Sequence, residues 1–243
     1  GSAGSVQVTG TRLFSDAANY IYNGIVAQST GNALPTALLG SLTIDNASGV
    51  SLTQSLTTSG NLNLTNGALV TAAFSLTTDG TVIRTNGIVS GNLIKNLSDG
   101  GPYIFEVGTS ATKYTPVILN NVVGSGSFTV NAVSSPHPNA IGSNILQMYW
   151  QLTNGGLTST DLTFNYLDVD VIGDENQYEL SRYSGGWAFP TGTNNTPTYD
   201  FNANTVLISG VTSFSDWALG EAASLPVELT SFSAAKIGKD VKL

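Results

Sequence analysis

The chain has no cysteine among its 243 residues. Disulfides and thiolate metal sites are thereby excluded, and stability has to come from core size and strand pairing. Charge is scarce as well: Asp, Glu, Lys and Arg make up 10% of the chain, against about 25% in an average soluble protein. The eight basic residues lie scattered at Arg12, Arg84, Lys95, Lys113, Arg182, Lys236, Lys239 and Lys242, within a net charge of −8. No basic face can form from them, so a nucleic-acid partner is not expected. No apolar run approaches the roughly 20 residues that cross a bilayer, so no membrane span is expected either. Histidine occurs once, at His137. No Gly-x-Ser-x-Gly elbow is present, and no segment carries a convincing helical period.

Apolar residues make up 41% of the chain, enough for a core, and its polarity is carried by Ser, Thr, Asn and Gly. A chain kept in water by hydroxyls and amides rather than ions suits repetitive extracellular β-proteins better than a cytosolic enzyme.

An internal repeat occupies the first half. Leu56-Thr57-Thr58-Ser59-Gly60 returns as Leu76-Thr77-Thr78-Asp79-Gly80, an offset of 20. Leu62-Asn63-Leu64-Thr65-Asn66-Gly67 returns as Val82-Ile83-Arg84-Thr85-Asn86-Gly87 at the same offset of 20. Leu42-Thr43-Ile44-Asp45-Asn46 fits one period earlier, which brings Asn46, Asn66 and Asn86 into one column. Such a period implies stacked supersecondary units. The Leu-x-x-Leu-x-Leu pattern of leucine-rich repeats is missing, so the reading is a parallel β-solenoid with rungs of about 20 residues. Leu and Val then fill a narrow core, Gly and Asn take the corners, and the Asn column is expected to stack amide on amide. An antiparallel meander with similar turns is the alternative.

From about Lys95 the repeat dissolves into longer strands with aromatics. Candidate strands are 103–107, 114–119, 127–133, 148–152, 161–166, 178–183, 205–208 and 217–219. Gly124-Ser125-Gly126, Gly155-Gly156, Gly185-Gly186 and Asn194-Asn195 are among the breakers between them. Strands punctuated by Gly-rich turns read as an antiparallel β-sandwich. The expected organisation is therefore all-β: an N-terminal strand or tag at 1–12, solenoid repeats at 13–95, a sandwich at 96–221, and a linker with the first strand of a further domain at 222–243. The sandwich is expected to cover one solenoid end, because an open rung invites pairing with other chains.

A resemblance rests on four segments. They are residues 42–67 (LTIDNASGVSLTQSLTTSGNLNLTNG); Trp150-Gln151-Leu152 with Leu162-Thr163-Phe164-Asn165-Tyr166 and Arg182-Tyr183-Ser184-Gly185-Gly186-Trp187; Phe214-Ser215-Asp216-Trp217-Ala218-Leu219-Gly220; and Leu225-Pro226-Val227-Glu228-Leu229-Thr230-Ser231-Phe232. Together they resemble the repetitive surface proteins of Bacteroidetes-type bacteria that leave by type IX secretion. The resemblance implies an extracellular or cell-surface location, a structural or adhesive role, and neighbouring copies or domains as partners. It assigns no catalytic or ligand-binding residue.

Four features bear on chemistry. Asp168, Asp170, Asp174 and Glu175 surround a Gly-containing turn, an arrangement of hard oxygens that suits calcium. Val171 sits where a calcium loop would have an oxygen, and alternation with valines also fits the wet face of a strand. His137, between Pro136 and Pro138, reads as part of an exposed loop. Trp150 and Trp217 lie in apolar strand contexts and read as core, whereas Trp187 follows Gly185-Gly186 and is the expected exposed aromatic, a candidate to stack on a glycan. The pairs Thr57-Thr58 and Thr77-Thr78 could start an ice-binding ladder, although β-propensity alone accounts for them. The expected function is an extracellular structural or adhesive building block without catalysis and without a required cofactor, calcium being the one candidate ion. The alternative is a carbohydrate-binding module of a secreted glycan-processing protein.

Overall fold

The computed structural model describes residues 14–190, 196–225, 235–237 and 240–242. The expected N-terminal strand or tag at 1–12, all but Leu225 of the strand expected at 225–232, and the Asn194-Asn195 turn lie outside the described residues.

The first part is a three-sided parallel β-solenoid. Its first coil carries β1 (Tyr20–Tyr22), β2 (Gln28–Ser29) and β3 (Ala37–Leu38). The second carries β4 (Leu42–Asp45), β5 (Val50–Ser51) and β6 (Leu56–Thr58). The third has β7 (Leu62–Asn66) and β8 (Ala68–Thr78), the fourth β9 (Val82–Arg84) and β10 (Ile88–Leu97). In the last two coils one long strand turns the corner and serves two sides. On the first side Tyr20 opposes Leu42, Leu42 opposes Leu62, and Leu62 opposes Val82. On the second, Gln28, Val50, Leu69 and Val89 form a column. On the third, Ala37, Thr57, Thr77 and Ile94 do so.

The repeat folds this way because every second strand residue points inward. Leu42, Ile44, Leu56, Leu62, Leu64, Leu69, Leu76, Val89 and Leu93 fill the interior. A column of glycine marks one corner. A Cβ on Gly60 would collide with the Gly40 carbonyl, and one on Gly80 with the Gly60 carbonyl. The same alternation splits each Thr pair. Thr58 and Thr78 are buried, their hydroxyls donating to the Gly60 and Gly80 carbonyls at 3.3 Å. Only Thr57 and Thr77 face outward, so the paired-Thr ladder does not form.

The Asn column is a correction to the sequence reading. A bulge follows Ile44 opposite Leu64, so Asp45 rather than Asn46 opposes Asn66. Asn46 is buried and donates to the Val26 carbonyl and Gln28 Oε1, whereas Asn66 and Asn86 are exposed. One shifted residue turns Asn46 to a different face from Asn66, so the expected stack does not run through all three.

The second part comprises β11 (Tyr103–Phe105), β12 (Gly108–Ser110), β13 (Lys113–Tyr114), β14 (Val117–Val133), β15 (Tyr149–Asn165), β16 (Tyr178–Tyr183), β17 (Trp187–Ala188), β18 (Thr198–Asp200), β19 (Thr205–Val211) and β20 (Asp216–Glu221). Farther on, β21 (Ala235–Ile237) pairs with β22 (Asp240–Lys242). The expected boundary near residue 95 falls inside β10. One edge of β10 pairs parallel with β8, the other antiparallel with β14, so a single 14-stranded sheet runs through both parts.

Four of the expected strands are fused into two. The glycines at 124–126 and 155–156 do not end strands; they bend β14 and β15 together, with Gly124, Gly126 and Gly156 at positive φ and register shifts at the bend. A straight strand would hold Trp150 and Phe164 about 46 Å apart at the usual rise per residue, yet their ring centroids are 4.8 Å apart. The hairpin therefore folds over its own core. One layer carries β11, β18 and β19 beside the bend-distal halves; the other carries β10, β20, β16 and β17. Phe105, Phe128, Trp150, Phe164 and Trp217 pack between them.

The segment from β11 to β13 covers the last solenoid coil. Val107 bridges to Val89, the Arg84 guanidinium lies 3.6 Å from the Tyr114 ring centroid, and Lys95 pairs with Glu106 at 2.8 Å.

Candidate functional site

The acidic turn reaches β13 and the Glu221 end of β20, whereas His137 lies beside the Asp216 end of that strand. Residues Asp168–Asp170 form one 3-10 turn rather than a strand. Its exposure pattern inverts the sequence expectation: Val169 is exposed, while Asp170 keeps 2% of its surface. The turn points Asp170 inward, where Lys113 Nζ meets its Oδ1 at 2.5 Å. The other oxygen, Oδ2, is buried without a hydrogen-bond partner.

The remaining carboxylates are engaged separately. Asp168 accepts from Asn204 Nδ2 at 2.7 Å. Asp174 accepts from the Asn176 backbone N–H at 3.1 Å and so caps the short turn Glu175–Gln177. Glu175 accepts from the Tyr166 hydroxyl at 2.5 Å. That phenol is pushed up, by burial first and then by the Glu175 bond. Among the described residues no group of three or more His, Asp or Glu side chains is placed to hold a metal ion. The four candidate ligands thus share a loop but face four different partners.

Trp187 and His137 are corrections. Trp187 keeps only 7% of its surface, and its indole N–H donates to the Asn139 carbonyl at 3.0 Å. The glycines before it make a tight hairpin from β16 to β17, which turns the indole onto the protein instead of into solvent. His137 keeps 3% of its surface although both flanking prolines are exposed. Its imidazole is enclosed by Tyr149 at 4.8 Å, Tyr183 at 4.8 Å and Trp187 at 4.7 Å between ring centroids. Asp216 Oδ2 lies 3.2 Å from Nε2, and the Asn139 N–H donates to Nδ1 at 3.2 Å. An amide donor at Nδ1 assigns the lone pair there and the proton to Nε2, which donates to Asp216. Burial lowers the imidazole pKa, against the Asp216 bond and charge, which raise it.

Both ring nitrogens are therefore occupied by structural partners. Asp216, which sequence reasoning did not pair with His137, lies 79 positions away. Its neighbour Tyr183 is its cross-strand partner in β16, which is what brings the carboxylate to the ring. Nor did any sequence signal join Lys113 to Asp170, 57 positions apart.

The fold defines an all-β protein built on a parallel β-solenoid continued by antiparallel sheet. No family model, curated protein or solved structure matches this chain. Among the described residues no helix is long and apolar enough to cross a membrane.

Proposed function

We propose that the chain is an extracellular structural and adhesive building block, a module of a bacterial surface protein or filament, that performs no catalysis. The observation that carries this reading is the single sheet that continues from the first solenoid coil to the hairpin of β16 and β17. Such a ladder transmits load along many hydrogen bonds and suits a spacer or scaffold. The internal pairing of the acidic turn and of His137 supports the same reading, because it commits these groups to holding the fold. Neighbouring copies or domains are the proposed partners, and the cell surface the proposed location, in keeping with the resemblance of the sequence to type IX secreted surface proteins.

The test is light scattering and electron microscopy of the intact protein over a concentration series, together with a glycan array. Concentration-dependent assembly, or retention on bacterial surface material, is the expected result. A protein that stays monomeric, is not retained, and binds a defined glycan would replace this reading with the carbohydrate-binding alternative. Turnover in a broad substrate screen, abolished by Asp168→Ala or His137→Ala, would replace it with an enzyme.

A further inference from the structure

The connection between β14 and β15, residues 134–148, is the longest strand-free stretch in the antiparallel part, and its fastening is unusually polar. From 144 to 147 it is tied by backbone bonds. Leu146 N–H donates to the Leu219 carbonyl at 2.9 Å, and Glu221 N–H to the Asn144 carbonyl at 2.9 Å. The preceding residues are held by fewer bonds, chiefly those around the His137 ring, the Trp187 indole bond to the Asn139 carbonyl and one backbone bond from Ile141. His137 is the plug of a small separate apolar cluster containing Tyr149, Trp187, Ile145, Ala218 and Leu225. The same stretch reaches the exit of the domain, because Ile141 N–H donates to the Ser224 carbonyl at 3.1 Å.

We propose that His137 is an acid-released latch: its neutral imidazole fastens residues 134–143, and through them residues 222–225, to the face formed by Tyr149, Tyr183 and Trp187, and protonation loosens both. The reason lies in the hydrogen bonds. A second proton can go only onto Nδ1, the atom that accepts from the Asn139 N–H. Protonation turns that acceptor into a donor facing a donor. The carbonyl of the same residue, Asn139, in the next peptide group, receives the Trp187 indole N–H, so the disturbance lies one residue from the anchor of β17. The new charge would sit on an imidazole whose side chain is 1% exposed, where desolvation is costly.

Other charged and titratable groups around the ring act as follows. Asp216 on β20 favours the cation through its bond to Nε2. The Tyr149 and Tyr183 rings add weaker cation–π attraction. Arg182 on β16, whose Nη1 lies 3.5 Å from Ser215 Oγ, adds opposing positive charge near Asp216. Burial outweighs Asp216, so the folded imidazole binds its proton less readily than the unfolded one. The sign follows: the unfolded or opened form takes up the proton first, so the closed form is fully favoured above about pH 6.5 and loses ground as the pH falls below it.

The test is amide hydrogen exchange of the intact protein at about pH 7.5 and about pH 5, either side of the ordinary histidine value, corrected for intrinsic exchange. The amides of Asn139, Ala140, Ile141 and Leu225 are expected to lose protection in acid while those of β14 and β15 keep it. In His137→Gln the four amides are expected to show the same protection at both pH values. Retained protection in the wild type, or an equal loss in His137→Gln, overturns the latch. Should that variant fold poorly, nitrogen NMR of the wild-type imidazole decides: the proton on Nε2 and a titration midpoint below the ordinary value are expected, and a midpoint at or above it overturns the proposal.

Discussion

Lys113 Nζ meets Asp170 Oδ1 at 2.5 Å, joining β13 to the acidic turn across 57 positions of sequence. The carboxylate is buried and its second oxygen has no hydrogen-bond partner, so the lysine supplies its one side-chain bond. Lys113→Met should therefore cost about 2–3 kcal/mol, below the full loss for a buried pair because the ammonium retains some water. Lys113→Met with Asp170→Leu should recover much of that loss, since no buried charge is left alone. Urea midpoints of the two variants check this; equal losses in both would show that the charge is not what the lysine satisfies.

The glycine column gives a sharper steric expectation. Gly60→Ala places a methyl group against the Gly40 carbonyl of the neighbouring coil, a backbone atom that cannot swing away. A loss of about 1–3 kcal/mol is expected. Gly186→Ala meets nothing within 4 Å and should change stability by no more than about 0.5 kcal/mol. Thermal or denaturant midpoints that move equally for both would contradict the corner packing.

Asp216 can be separated from His137 by charge alone. Asp216→Asn keeps an acceptor for the Nε2 proton but removes the negative charge that holds the imidazole pKa up. The histidine titration followed by NMR should move further down in the variant. An unchanged or raised midpoint would mean that the carboxylate does not act on the ring.

Glu106 should oppose the histidine in the global pH profile. Its carboxyl is pushed up, by burial first, with Lys95 and Arg84 pulling it down. A carboxyl that binds its proton more tightly when folded adds stability as the pH falls through its raised pKa. Glu106→Gln removes that gain while leaving an oxygen for the Lys95 ammonium. Between about pH 7 and about pH 4, stability of the variant should fall more steeply toward acid than that of the wild type. Parallel urea-unfolding curves for the two proteins across that range would rule this out.

The solenoid was legible because its information is local and repeated. Leu42, Leu62 and Val82 recur at the spacing of one coil, and each sits against its own counterpart in the next. Trp150 and Trp217 were likewise readable as core from the apolar strands that carry them. The Asn column failed on a one-residue bulge after Ile44, which changes facing without changing spacing.

Residue order alone determined an all-β chain, a parallel repeat of about 20 residues and the switch to longer strands near Lys95. Only the tertiary structure decided that Gly124-Ser125-Gly126 and Gly155-Gly156 bend two strands instead of ending four, because a glycine permits either course and the partner strand chooses. Only the tertiary structure enclosed His137 and Trp187, which local sequence places beside prolines and glycines. Their burial depends on Asp216, Tyr149 and Asn139, and the contacts among them form only when β14 and β15 fold over and bring β16, β17 and β20 to the same edge.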